Sequence, residues 1–261
     1  MLIQTALSAS AQDLKSGKKL VSLKYVPIKV EGNTLILRNS QIELDKNGFP
    51  KQIQTFFNPS TPPTKLLYEN IHFHFVRKSD GKNTVLKDGG VKFAKNDKKV
   101  DRWNGIVKWN GTSRNDSLVM DVKGKLKFNG QLLYSVKVTA LQDIALKDVT
   151  MHIPFIPTLP TNMVGFGIAD GKRPEKVEWK WNGPFKNDNG AWLGNEDAGL
   201  QYTLRKGAWD NKSKGGVTVG IKGSSMLANN YTADHDMKKG DVLNYDFTLF
   251  ITPRQAIKGK K

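Results

Sequence analysis

Apolar and polar residues alternate with a period of two along most of the chain. This alternation is typical of antiparallel strands, because successive side chains of a strand point to opposite faces, one toward the core and one toward solvent. Helical periodicity is nearly absent. Clusters of Gly, Asn and Asp interrupt the alternation about every ten residues, a spacing typical of a sandwich. The pattern predicts an all-β fold, a large antiparallel two-sheet β-sandwich.

The alternating segments give the predicted strands, which are residues 20–30, 34–38, 41–45, 51–57, 71–77, 84–86, 91–94, 106–109, 117–122, 125–128, 132–140, 145–156, 175–181, 190–193, 199–204, 216–221 and 243–251. Asn47-Gly48 between two of them predicts a hairpin with a type I′ turn, since both residues accept a positive φ. The closely spaced prolines of residues 58–64 predict a loop.

The chain divides into one large domain and two short ends. Residues 20–253 are predicted to form a single β-sandwich domain, because the proline loops are short and alternation continues on both sides. Residues 1–19 are interpreted as a truncated signal or disordered N-terminus, since Ala9-Ser10-Ala11 resembles a signal-peptidase site. This motif predicts a secreted or periplasmic protein. Residues 254–261 are a basic tail or the start of a missing downstream domain.

The composition narrows the possible chemistry. The chain has 261 residues, no cysteine, and 41 Lys+Arg against 24 Asp+Glu, a formal net charge of +17. The lack of cysteine excludes disulfides, thiolate zinc sites and cysteine nucleophiles. No apolar run reaches the roughly 18 residues of a membrane span. The densest basic runs, 15–19, 95–99 and 258–261, lie in predicted turns or tails. No nucleic-acid-binding motif accompanies them, so we expect no nucleic-acid partner, whereas acidic polysaccharide stays open.

Several motifs carry a resemblance to a known family. They are Ile42-Glu43-Leu44, Asn47-Gly48-Phe49-Pro50, Met151-His152-Ile153-Pro154, Gly165-Phe166-Gly167, Lys172-Arg173-Pro174, Val177-Glu178-Trp179-Lys180-Trp181 and Ala191-Trp192-Leu193-Gly194-Asn195. Together they resemble the N-terminal, galactose-mutarotase-like β-sandwich of glycoside-hydrolase-like proteins from gut and soil Bacteroidetes. The resemblance implies a sandwich in front of a catalytic (β/α) barrel that carries the glycosidase carboxylates. Lys261 lies where that barrel is expected to begin.

The candidate catalytic residues are Glu196 and Asp197, in a loop between Trp192 and Leu200. Glycoside hydrolysis needs two opposed carboxyls about 5–5.5 Å apart for retention or about 6.5–9.5 Å for inversion. Adjacent residues do not easily form such a pair. Hydrogen bonding to a ligand and simple solvation of the loop are the alternatives for both acids.

The candidate carbohydrate site is the loop edge that contains Trp192, Asn195, Glu196 and Asp197, with Arg173 as a possible neighbour. A flat aromatic ring stacks on the apolar face of a sugar, and polar neighbours bond the hydroxyls. In the alternative, Trp192 caps the core and the other residues make a polar hairpin. The exposure of Trp192 distinguishes these two interpretations, because a sugar-binding tryptophan needs one ring face open to solvent.

Histidines give the last candidate site. His72 and His74 lie two residues apart, so both imidazoles fall on one face of a strand, but nothing nearby in the sequence supplies the third ligand of a metal site. Asp234-His235-Asp236 is an ordinary turn cluster. We therefore expect no metal and no cofactor.

The sequence thus predicts a carbohydrate-related accessory module that positions or binds a poly- or oligosaccharide and is not itself catalytic. Two alternatives stay open. One is a self-sufficient glycosidase that uses carboxylates of the sandwich, and the other is a cationic module that binds acidic polysaccharide.

Overall fold

The computed structural model describes residues 27–94 and 105–253. The predicted signal segment, the C-terminal tail and the three basic runs lie outside these residues. The described part contains strands and no helix, so it has no helix that is long and apolar enough to cross a membrane. The all-β fold class predicted from the alternation is confirmed.

Twenty strands make up the fold. They are β1 (Lys29–Glu31), β2 (Thr34–Ile36), β3 (Ser40–Leu44), β4 (Pro50–Thr55), β5 (Thr64–Lys65), β6 (His72–Arg77), β7 (Lys87–Phe93), β8 (Ile106–Arg114), β9 (Leu118–Lys127), β10 (Gln131–Ala140), β11 (Ile144–Phe155), β12 (Asn162–Gly165), β13 (Ile168–Lys172), β14 (Val177–Lys180), β15 (Gly190–Gly194), β16 (Gly199–Gly207), β17 (Gly216–Lys222), β18 (Ser225–Tyr231), β19 (His235–Met237) and β20 (Val242–Thr252).

These strands form three antiparallel sheets. The first is a meander in the order β1-β2-β3-β4-β5, and the second has nine strands in the order β13-β12-β15-β16-β20-β10-β9-β8-β7. The third has six strands in the order β14-β17-β18-β11-β19, and β6 pairs with β11. The second and third sheets are the two main layers of the sandwich.

An aromatic core joins the layers. Phe73 on β6 of the third sheet packs against Tyr245 on β20 of the second, with ring centroids 5.5 Å apart. The ring of Phe49, in the connection between β3 and β4, has its centroid 5.7 Å from that of Tyr134 on β10. Trp109 is 1% exposed and donates its Nε1–H to the carbonyl of Gly48 over 2.8 Å. The second sheet is thereby connected to the first through a buried hydrogen bond.

The Asn47-Gly48 hairpin between β3 and β4 forms where predicted, but its turn is of another type. The amide of Gly48 donates to the carbonyl of Asp45 and the amide of Asp45 donates to the carbonyl of Phe49. Of the Asn47-Gly48 pair only Gly48 has a positive φ, 89°. The turn is therefore type I followed by a left-handed glycine, a three-residue loop with a bulge, and the predicted type I′ turn is wrong. Asp45 explains the difference, because its Oδ1 accepts from the amides of Asn47 and Phe49.

The alternation located most strands and missed some short or glycine-rich ones. The segments predicted as 117–122 and 125–128 are one strand, β9, which continues through Gly124. A Cβ on Gly124 would lie 2.1 Å from Cε2 of Trp109, so glycine allows the large ring to lie on the strand. The strands β5, β12, β13, β18 and β19 were not predicted.

Candidate functional site

Trp192 is buried. It is 1% exposed, and its strand β15 pairs with β12 on one side and β16 on the other. A Cβ on Gly199 would be 2.4 Å from Cε2 of the ring, and its Nε1–H donates to the carbonyl of Thr252 at 3.4 Å. Glycine near this ring permits close approach of the tryptophan itself rather than of a ligand. The assignment of Trp192 as a sugar-stacking residue is therefore wrong.

The loop after Trp192 is a polar hairpin with its own internal hydrogen bonds. Oδ1 of Asn195 accepts from the amides of Asp197 and Ala198 at 3.1 and 2.9 Å. Oδ1 of Asp197 accepts from Nδ2 of Asn58 at 3.2 Å, and Glu196 is exposed. Asn195 and Asp197 therefore have a structural role in the turn. Glycan contact by this loop stays a prediction.

Arg173 is occupied by backbone carbonyls. Its Nε donates to the carbonyl of Pro160 at 2.8 Å, and Nη1 donates to the carbonyls of Pro174 and, at 3.2 Å, Glu175. Burial lowers the pKa of this guanidinium. These contacts connect the loop before β12 with the loop before β14, which is a structural task.

The third sheet has one buried face and one polar face. Val149, Met151 and Ile153 of β11 are 0% exposed and point into the core. The alternate residues Thr150 and His152 point the other way, and the register pairs them with His74 and His72 of β6. We call this surface, defined by Thr150, His152 and Asn229, the polar face.

Three imidazoles meet on the polar face. The ring nitrogens of His72, His74 and His152 that could ligate a metal all lie within 4.8 Å of one another. His72 and His152 are 80 residues apart in sequence, and Nδ1 of His152 lies 3.2 Å from Nε2 of His72. Ring centroids of His74 lie 4.7 Å from His72 and 4.5 Å from His152. The tertiary fold supplies the third histidine that the local sequence lacks.

The hydrogen bonds assign the tautomers of this cluster. Nδ1 of His72 lies 2.8 Å from the carbonyl of Asn70, which only accepts, so Nδ1 carries the proton and Nε2 has a free lone pair. Nδ1–H of His152 donates to that lone pair, and Nε2 of His152 lies 3.3 Å from Oγ1 of Thr150. Among the described residues, the ring nitrogens of His74 have no hydrogen-bond partner.

Two of the three imidazoles, those of His74 and His152, are neutral at neutral pH. Burial first, and then the neighbouring imidazoles and Lys222, lower the pKa of His152 to about 3. Burial, His72 and Lys222 lower the pKa of His74 to about 4 in the same way. Both rings therefore offer unprotonated nitrogens well below pH 7.

A groove of about 560 Å³ lies on the same sheet. Its lining comprises Glu175, Lys176, Thr218, Val219, Gly220, Ile221, Lys222, Leu227 and Asn229. Oδ1 of Asn229 is buried and has no hydrogen-bond partner among the described residues. The register of β18 on β11 places Asn229 directly opposite His152. The groove thus contains an unused buried acceptor beside the histidine cluster.

An exposed aromatic residue lies beside the end of β11. Leu67 forms a bridge with Phe155, and the amide of Tyr68 donates to the carbonyl of Pro154. Tyr68 therefore lies next to Pro154, beside the end of β11. Tyr68 is 54% exposed. It has the free ring face that Trp192 lacks.

A second groove, of about 410 Å³, lies on the second sheet. Strands β8 and β9 place Lys108 directly opposite Lys125 there, and Lys123 and Arg205 also line it. We call it the cationic groove. Asp246 is the acidic residue of its lining.

The fold defines the class of this protein, a galactose-mutarotase-like β-sandwich. It is similar to the galactosidase domain of an α-galactosidase–sucrose kinase (TM-score 0.56, 8% identity, 87% of this chain and 42% of that chain). It is also similar to a GH36 α-galactosidase from Geobacillus stearothermophilus (0.53, 8%, 87% and 41%). A Salmonella typhimurium protein described as a mutarotase candidate matches over its full length (0.50, 6%, 94% and 100%).

The chain belongs to the family described as glycoside hydrolase 123, third domain, whose model matches residues 28–208 and 206–253. This agrees with the resemblance to a mutarotase-like domain of glycoside-hydrolase-like proteins. The chain spans about two fifths of the two galactosidase chains it resembles, 42% and 41% of their lengths. No curated protein matches the sequence.

Sequence reasoning missed His152, Asn229 and Tyr68. For His152 a signal existed, since it alternates with Met151 and Ile153 in a strongly apolar strand. Asn229 lies on β18, which was not predicted. Tyr68 lies between predicted strands, where the sequence does not reveal the bridge to β11.

Proposed function

We propose that the chain is an accessory, non-catalytic carbohydrate module of a glycoside-hydrolase protein and that it positions a glycan on the polar face of the third sheet. The observation that carries this proposal is the groove with the buried, unpartnered Oδ1 of Asn229. A buried acceptor without a partner is costly, and a sugar hydroxyl would satisfy it.

The chemistry of the groove suits a sugar. Thr218 and Asn229 provide neutral hydrogen-bonding groups on its floor, and Glu175 and Lys222 provide charged groups that bond hydroxyls. Tyr68, beside the end of β11, offers an exposed ring for stacking. A concave surface that combines apolar lining with a few polar groups is typical of small-molecule sites.

A catalytic role for the loop acids has little support. Asp197 is hydrogen-bonded to Asn58, and Glu196 and Asp197 are adjacent in one turn. An opposed acid pair needs carboxyls that face each other across the glycosidic bond. The self-sufficient glycosidase remains the alternative.

The test is binding of a panel of oligosaccharides and polysaccharides, measured by isothermal titration calorimetry. Asn229→Ala and Tyr68→Ala are expected to weaken binding at least about fivefold each, since each removes an interaction of about 1–3 kcal/mol. Phe128→Ala is the matched control, because Phe128 is an equally exposed aromatic residue, 59%, on the β9–β10 turn. Equal affinities for Tyr68→Ala and Phe128→Ala would argue against the polar face.

The cationic groove supports a second candidate, binding of acidic polysaccharide. Lys108, Lys123, Lys125 and Arg205 concentrate positive charge around one concavity. Retention on sulfated or uronic-acid polysaccharide is expected to fall with rising salt and to fall strongly in Lys123→Gln/Lys125→Gln. Lys176→Gln/Lys222→Gln removes the same charge from the other groove and is the control. If both double variants elute alike, only overall charge matters and this candidate fails.

We also propose that the module acts outside the cytoplasm beside a catalytic barrel. The N-terminal Ala9-Ser10-Ala11 motif and the family support this. Cell fractionation and the reading frame downstream of Lys261 test the two parts separately.

A further inference from the structure

We propose that His72, His74 and His152 form a Zn²⁺ site on the polar face of the third sheet. The three ligand nitrogens converge within 4.8 Å of one another. They come from two neighbouring strands, β6 and β11, whose hydrogen-bonded register holds the rings in place. The site does not depend on the proposed glycan function.

The spacing of the nitrogens is close to that of a zinc site. Tetrahedral Zn²⁺ with bonds of about 2.0–2.1 Å to nitrogen separates its ligand atoms by about 3.3–3.4 Å. Nδ1 of His152 and Nε2 of His72 already lie 3.2 Å apart. His74 must approach by at most about 1.5 Å, the difference between the 4.8 Å limit and the ideal edge. Because His74 is free of hydrogen bonds to the described residues, this movement breaks none.

The surrounding groups orient the ligands. The carbonyl of Asn70 accepts from Nδ1–H of His72 at 2.8 Å and so leaves Nε2 for the metal. This is the outer-shell bond that ligating histidines usually make. For His152 to bind through Nδ1, its proton moves to Nε2, where Oγ1 of Thr150 at 3.3 Å becomes the acceptor. The neutral ring changes tautomer and no net proton is released.

Lys222 lies close enough to act electrostatically on His74 and His152. Lys222 opposes a cation, but its side chain is exposed and its charge is screened. Removing this charge is therefore expected to tighten binding by a few-fold.

Three protein ligands leave the fourth position of zinc open. His72 and His74 are partly exposed on the polar face. Three histidines plus one exchangeable position are typical of zinc sites that bind water or a substrate oxygen. The alternative is a purely structural, hydrogen-bonded histidine cluster, which would not bind zinc.

The experiment is titration of the untagged full chain with Zn²⁺, with calorimetry for affinity and metal analysis after dialysis for stoichiometry. We expect one Zn²⁺ per chain. His74→Gln is expected to weaken binding by at least about 100-fold, because losing a ligand costs more than the 10–100-fold of an outer-shell change. His235→Gln is the matched control, since His235 is the fourth histidine and bonds Thr232 outside the cluster. Lys222→Gln should bind a few-fold more tightly.

Absence of zinc binding by the wild type, or equal binding by His74→Gln and His235→Gln, would overturn the proposal. If His74→Gln does not fold, Co²⁺ replaces the variant as the probe of the wild type. Intense visible absorption of tetrahedral Co²⁺ supports the site, and the weak spectrum of octahedral Co²⁺ overturns it.

Discussion

At the scale of single residues, burial decides what an aromatic or acidic side chain does. Trp192 and Tyr68 are both aromatic residues in polar-flanked segments, but their exposures are 1% and 54%. The buried ring contributes to stability, and the exposed one is free for a ligand. The same logic applies to carboxylates such as Asp148, whose burial raises its pKa.

Trp192→Ala is expected to destabilise the protein by about 3–5 kcal/mol, because it removes a fully buried ring and leaves a cavity. Urea unfolding measures this free energy. Tyr68→Ala is the control and should change stability by no more than about 0.5 kcal/mol. A stable Trp192→Ala protein with impaired glycan binding would instead support the predicted carbohydrate site at the loop edge around Trp192.

Asp148→Asn is expected to raise the free energy of unfolding at pH 7. Desolvation raises the pKa of Asp148 above 3.8 although its Oδ1 accepts from the amides of Thr232 and Ala233. The folded state therefore holds this proton more tightly than the unfolded state, so stability falls as pH rises from 3.8 through the raised pKa. Asparagine keeps the acceptor without the charge.

The advantage of Asp148→Asn should disappear below about pH 3.8, where the wild-type carboxyl is protonated in both states. Thermal unfolding across pH tests this. Asp116→Asn, an exposed carboxyl, is the control. A gain that does not depend on pH would contradict the electrostatic explanation.

At the scale of elements, glycines inside strands position large rings. β9 continues through Gly124 because Trp109 of β8 covers that position. Strand register also positions the candidate functional residues, because the pairing of β6 with β11 places His72 opposite His152 and His74 opposite Thr150. Side chains that are distant in sequence become neighbours through strand pairing.

Gly124→Ala is expected to destabilise the fold by about 1–3 kcal/mol or more, because the new Cβ would lie 2.1 Å from the ring of Trp109. Gly171→Ala on β13 is the control, as a Cβ there meets nothing within 4 Å. Chemical unfolding of both variants makes the comparison. Equal stability would show that the Trp109 ring moves without cost.

At the scale of the whole molecule, a mutarotase-like sandwich of the glycoside hydrolase 123 third-domain family carries two grooves on its two main sheets. One combines neutral polar groups with charges of both signs beside a histidine cluster, and the other has four cationic side chains and one acidic one. Their chemistry differs enough for variants to separate neutral from acidic glycans.

The isolated chain is expected to have no glycosidase activity, because the loop acids do not form an opposed pair. A panel of aryl glycosides and polysaccharides tests this. Turnover that Glu196→Gln abolishes would favour the self-sufficient enzyme. Turnover that Glu196→Gln leaves intact would indicate that other carboxylates of the sandwich are catalytic.

The sequence by itself determined the all-β class, most strands and the family. These properties rest on local alternation, turn residues and motifs, which each segment carries independently of the rest. The single-domain boundaries and the ends of the chain stay predictions.

Only the tertiary structure decided which side chains meet and which are buried. Trp192 is buried because Gly199 on the neighbouring strand leaves room for its ring, and His152 joined His72 because β11 pairs with β6. Strand partners far apart in sequence are chosen by packing of the whole core. Local alternation tells which face a residue takes but not what lies beside it on that face.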